Sequence, residues 1–170
     1  MADVPGALDA AEGEASAAAR ILAALRARGL TLASCESITG GGIGWVLTSI
    51  AGSSSVFRGG LITYATDLKV SLAGVDEHYV AGHGVINETT ARQMAAGARQ
   101  LCRADVAVAA TGTAGPEGQD GVPPGSVWLC VSAPERTLTR HVTLSGDRCL
   151  VRRATVRAAL ELLSDTLVEG

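Results

Sequence analysis

Apolar positions recur along the chain at two spacings, and the switches between them lay out the elements. Residues 7–28 are alanine-rich, with Ile21, Leu22 and Leu25 on one face, Arg20 and Arg28 off it, and Gly29 as a stop, which predicts a helix. Residues 30–35 form a short apolar run that breaks into a glycine-rich loop at 36–42, after which residues 43–50 resume helical spacing. Residues 56–64 hold enough β-branched and aromatic residues for a strand despite Gly59 and Gly60, and residues 67–72 start a further helix. Asn87 caps a helix that runs to about Cys102, with Met94, Ala95, Ala98 and Leu101 as its buried stripe. Residues 106–110 are continuously apolar, the pattern of a strand covered on both faces. Strands at 126–132 and 137–144 flank a hairpin turn at 133–136, and residues 147–167 are helical with Val151, Ala154, Ala158 and Leu162 on one side.

Helices before, between and after strands predict a three-layer α/β/α sandwich, and the hairpin makes its mostly parallel sheet mixed. The 170 residues fit one domain, with residues 1–6 loose and 117–125 an exposed loop of glycine, proline and acidic residues. A content of 47% hydrophobic and 18% charged residues is too apolar for a disordered chain. The net charge of -3 supplies no basic field for nucleic acid or an anionic membrane, so an anionic ligand must be held locally. Cys35, Cys102, Cys130 and Cys149 are widely spaced and read as small buried apolar residues. Without a leader-like segment or an 18-residue apolar run, the expected setting is cytoplasmic and reducing.

Open α/β sheets collect ligands beyond the carboxyl ends of their strands. Three loops there stand out: one with Glu36, Ser37, Thr39 and its glycines, one with Tyr64 and Lys69, and one at 111–115. If their strands run parallel, they share one rim. The first loop fits neither common phosphate fingerprint, yet its glycines let backbone N–H groups approach an anion closely. The same glycines also suit a plain tight turn, and Ser37 suits a helix N-cap. Lys69 is the only lysine among 14 basic residues. Arginine keeps its proton, whereas a desolvated lysine can lose one and act as a base. Tyr64, five residues earlier, lies where strand end and first helical turn bring both near Ser37, although an aromatic there also suits a simple interface. His78, His83 and His141 are scattered without an i+4 partner, so no metal site is expected, and His83 reads as structural. Arg148, Arg152, Arg153 and Arg157 read as a solvated helix face, with Arg148 close enough to the rim to meet a phosphate. Glu36 is the only acid in these loops before Asp67, so no catalytic carboxylate pair is evident.

Six segments in order resemble the CinA C-terminal domain family, which includes the nicotinamide-nucleotide amidases. They are Glu36-Ser37-Ile38-Thr39-Gly40-Gly41, Ala51-Gly52-Ser53-Ser54, Gly60-Leu61-Ile62-Thr63-Tyr64 with Lys69, His83-Gly84-Val85, Thr111-Gly112-Thr113-Ala114-Gly115-Pro116 and Gly146-Asp147-Arg148. The resemblance spans about residues 15–165. It implies metal-independent and cofactor-independent hydrolysis of the carboxamide of nicotinamide mononucleotide to nicotinic acid mononucleotide and ammonia. By position it implies Ser37 as nucleophile, Lys69 as general base and Tyr64 as the assisting hydroxyl. Glu36, Thr39, Gly40 and Gly41 are then expected around the substrate, as are Thr111, Gly112, Gly115 and Arg148 from the facing segments. Ile38 replaces a cysteine of the family's loop, and Val122 stands where the family has a lysine, which bears on substrate preference. The alternative is a non-catalytic nucleotide-binding module acting through protein partners. Simple binding does not need a deprotonatable amine, which favours the enzyme, and a phosphate-ester hydrolase would bring metal-binding carboxylates. The expected partner is a small-molecule nucleotide, with no nucleic acid and no membrane, and with homo-oligomerisation expected from family analogy.

Overall fold

The computed structural model describes residues 9–168, so the expectation for residues 1–6 lies outside it. The chain order is α1 (Asp9–Ala27), β1 (Leu32–Glu36), α2 (Gly42–Thr48), a 3₁₀ turn at Ser53–Ser55, β2 (Phe57–Ile62), α3 (Thr66–Ser71), α4 (Glu77–His83), α5 (Glu88–Cys102), β3 (Val106–Gly112), β4 (Ser126–Ser132), β5 (Thr137–Thr143) and α6 (Arg148–Val168). The strands form one sheet in the order β2-β1-β3-β4-β5. β1 pairs in parallel with both β2 and β3, and β4 pairs antiparallel with both β3 and β5. Four of the five strands therefore point the same way and β4 alone is reversed, which is the mixed, mostly parallel sheet anticipated above.

Alternation along the strands divides two cores. Leu32, Val106, Val108, Val127 and Leu129 face a layer containing Ile21, Leu22, Leu25, Ile43, Leu47, Leu160 and Leu163 from α1, α2 and α6. Ala33, Cys35, Ala107, Ala109 and Cys130 face Ala91, Met94, Ala95 and Ala98 of α5. Small side chains on this second face admit α5 closely, and Gly97 of α5 in turn admits the segment after α3, where an added Cβ would lie 1.8 Å from the Ala73 carbonyl oxygen.

Most predicted elements appear within a few residues, and the departures have physical reasons. Asn87 caps α5 as expected, its side-chain oxygen accepting from Thr90 N–H at 2.8 Å. Leu101 leaves the predicted stripe and is 57% exposed, because the buried face continues from Ala98 to half-buried Cys102 at i+4. Helix α4 was not expected, since none of its residues is buried and it shows no apolar period. It is held by the Asp76 cap on Tyr79 N–H and by stacked Tyr79 and His83 rings 4.3 Å apart. The cysteine expectation holds for Cys35 and Cys130, whereas Cys102 is half-buried and Cys149 exposed; all four are free. Burial pushes the Cys35 thiol up to about 11 and Cys130 to about 12, so neither ionises near neutral pH. No helix among the described residues is long and apolar enough to cross a membrane.

Candidate active site

The parallel run of β1, β2 and β3 brings the ends of all three strands to one rim. Two backbone hydrogen bonds extend the ladder past the strands: Ser37 N–H donates to Ala110 O at 3.0 Å and Thr63 N–H to Glu36 O at 2.9 Å. Beyond them opens a cavity of about 370 Å³, lined among others by Ser37, Tyr64, Gly112, Gly115 and Arg148. Ile38 and the loop residues Glu117 and Gln119 also contribute to its wall.

Ser37 sits immediately after β1 and is 8% exposed. It is not the N-cap of α2. That helix starts after Gly41, in left-handed backbone at φ 95, with no side-chain cap at that position. Its first N–H groups are taken by Glu36, which alternation places on the α2 side of β1. Glu36 Oε1 accepts from Gly44 N–H at 2.8 Å and Ser34 Oγ at 3.0 Å; Oε2 accepts from Thr39 Oγ1 at 2.8 Å and Ile43 N–H at 3.0 Å. The carboxylate is buried with all these donors converging on it, which suits an anion beside the opening of a helix.

Lys69, at the end of α3, is fully buried. Its Nζ donates to the Thr63 carbonyl at 2.8 Å and the Tyr64 carbonyl at 3.3 Å, in the segment that joins β2 to α3. Burial lowers its pKa from the ordinary lysine value, partly opposed by the nearby Cys35 and Asp67. No ion pair neutralises it among the described residues. Lys69 stands behind the cavity wall and is not among the lining residues. Tyr64 is 56% exposed at the mouth, and its hydroxyl accepts a short hydrogen bond from Arg148 Nη2, while Arg148 Nη1 donates to Gly115 O at 3.1 Å. One guanidinium thus joins the β2 exit to the β3 loop.

The structure gathers the expected residues unevenly. Ser37, Tyr64, Gly112, Gly115 and Arg148 line the cavity; Glu36, Thr39, Gly40, Gly41 and Thr111 do not. Glu36 and Thr39 bond each other, and Thr111 Oγ1 donates to Val85 O at 2.8 Å. Of the four arginines read as a solvated face, Arg153 and Arg157 are exposed, but Arg148 and Arg152 reach the site. Arg152 donates from Nε to Ile38 O at 3.1 Å and from Nη2 to Thr39 O at 3.0 Å. The i,i+4 spacing from Arg148 was the only sequence signal that pairs them. His83 is held within α4 by its Nδ1 contact to Tyr79 O at 3.0 Å, and His141 Nε2 meets Ser126 Oγ at 2.8 Å. No cluster of three or more His, Cys, Asp or Glu able to hold a metal ion occurs among the described residues.

Comparison with known proteins bears on the family and the fold. A family model described as the CinA C-terminal domain matches residues 14–167. The chain is 43% identical over 142 residues to a protein of Escherichia coli K12 named nicotinamide-nucleotide amidohydrolase PncC, an alignment covering 82% of this chain and 86% of that protein. It is also 43% identical to a CinA-like protein of Frankia casuarinae over 84% of its own length, but spans only 33% of that relative. Among solved structures, the competence/damage inducible protein CihA of Agrobacterium tumefaciens superposes with a TM-score of 0.86 at 38% identity, over 97% of this chain and 98% of the other. The competence damage-inducible protein A of Klebsiella pneumoniae gives 0.88 at 33% identity, over 91% and 96%.

Proposed function

Because this chain belongs to the CinA C-terminal domain family, we propose that it is an amidohydrolase that converts nicotinamide mononucleotide to nicotinic acid mononucleotide and ammonia. The observation that carries the reading is the chain's single lysine, buried without an ion pair among the described residues, in the segment directly behind the serine rim. A buried amine whose charged form is disfavoured is a base held ready, and a lone binding site has no use for one.

Neutral Lys69 accepts the Ser37 proton, relayed through or oriented by the Tyr64 side, as Oγ attacks the carboxamide carbon. A backbone N–H of the loop that follows Ser37 takes the developing oxyanion. Collapse breaks the C–N bond; the proton held at Lys69 passes to the departing nitrogen, which leaves as ammonia. Water then attacks the acyl-Ser37 ester with the same amine as base, releasing the acid and restoring the serine. Arg148 at the cavity mouth supplies the charge that a nucleotide phosphate needs, with Gly112 and Gly115 admitting the substrate close to backbone. The coarse outcome is hydrolysis of a small nucleotide amide, in line with the relative's name.

Ammonia release from nicotinamide mononucleotide by the purified protein tests the reading, with Ser37→Ala beside it. Turnover is expected in the wild type and a loss of about 1000-fold or more in the variant. Tight binding of the mononucleotide with no ammonia would replace the enzyme with the binding module.

A further inference from the structure

The loop that carries Ser37 is gripped from α6. Arg152, half-buried on the second turn of that helix, holds the Ile38 and Thr39 carbonyls together, and a Cβ on Gly40 would come within 3.2 Å of its Nη2. No carboxylate pairs with Arg152 among the described residues. In a planar trans peptide a carbonyl and the following N–H point opposite ways. Drawing the Ile38 and Thr39 carbonyls toward Arg152 therefore turns the Thr39 and Gly40 N–H groups to the other side of the loop. That side faces the Ser37 backbone carbonyl, to which Gly40 N–H donates at 3.1 Å. Ser37's own N–H is committed to Ala110 O, so the nucleophile's amide is not free to stabilise an oxyanion.

We propose that Arg152 is a positioning residue that aims the Thr39 N–H at the oxygen that turns negative when Ser37 attacks a carbonyl. It acts without touching the substrate. This rests on the amidohydrolase reading of the Ser37 site, and the test separates the two.

Wild type, Arg152→Lys and Arg152→Gln are compared in two reactions. With nicotinamide mononucleotide, a misaimed donor lowers kcat by about 10- to 100-fold and leaves KM within about threefold. Arg152→Lys restores part of the rate, because an ammonium reaches one carbonyl but lacks the fork for two. With an organofluorophosphonate, Ser37 Oγ bonds to phosphorus, fluoride leaves, the serine proton passes to the base, and the phosphoryl oxygen takes the oxyanion position. Labelling of Ser37, followed by intact mass, slows by a similar factor in the variants while melting temperatures stay within a few degrees. A wild type that labels but releases no ammonia removes the substrate assignment, and the labelling rates alone then decide the role of Arg152. Variants that label as fast as wild type, a raised KM at unchanged kcat, or a wild type unlabelled at Ser37 each overturn the proposal. Where Arg152→Gln does not fold, Arg152→Lys is judged by the same criteria.

Discussion

Lys69 ranks among the largest fully buried side chains, in company otherwise made up of Ile, Leu and Met. An amine in that position is costly when charged, and its two hydrogen bonds go to neutral carbonyls, not to a carboxylate. Desolvation is the main cause of its lowered pKa, with Cys35 and Asp67 pulling the other way. Between the lowered folded value and the ordinary unfolded one, the folded chain binds fewer protons, so stability rises with pH through that window. Activity follows the same group: the amidase rate should climb as pH passes the lowered Lys69 pKa and level off above it. Lys69→Arg keeps a cation but cannot give up its proton. It should lower kcat by about 100-fold or more and abolish that rising limb, read from pH–rate profiles of both proteins. A variant with near-normal kcat and an unchanged limb would remove Lys69 from the reaction.

At the scale of elements, the sequence was most legible where periodicity had a buried face to report. The α1 stripe, the apolar β3, the β4–β5 hairpin and the Asn87 cap were all readable because burial, turn chemistry or capping left a mark on residue choice. Helix α4 left none, since every residue in it escapes burial. The site divides in the same way. Ser37 and Tyr64 follow from the rule that strand ends share a rim, and Arg148 reads in sequence only as a helix-face arginine near that rim, whereas the work of Glu36 and Arg152 depends on contacts seven residues and more than a hundred residues away. Glu36 in particular looks like a ligand-facing acid in sequence and proves to be the anchor of α2. Its two oxygens accept from the N–H groups of Ile43 and Gly44, which cannot reverse direction as the hydroxyls of Ser34 and Thr39 can. Glu36→Gln keeps the shape but sets an NH₂ against one of those N–H groups. A loss of about 1–3 kcal/mol in urea unfolding is expected, with kcat falling because the Ser37 loop loosens. Unchanged stability would show that α2 holds itself without the carboxylate.

Across the whole molecule, the cavity is a convergence of segments that are distant in sequence: Ser37 after β1, Tyr64 after β2, Gly112 and Gly115 at the end of β3, and Arg148 opening α6. Arg148 spans the gap between Tyr64 and Gly115, so a ligand seated there would tie the last helix to both strand exits at once. Because such a ligand binds the folded chain only, the product nicotinic acid mononucleotide at about 100 times its Kd should add about 2.7 kcal/mol. For a domain of this size that raises Tm by about 5–10 °C. Arg148→Ala separates binding from architecture. The guanidinium bonds an exposed hydroxyl and one loop carbonyl, so its loss should lower the ligand-free Tm by only about 1–3 °C. If it also meets the phosphate, the ligand-induced rise should shrink by more than half. Thermal scans of both proteins with and without product give the answer. A variant that loses Tm alone but keeps the full ligand shift would make Arg148 a structural tie and place the phosphate elsewhere along the rim.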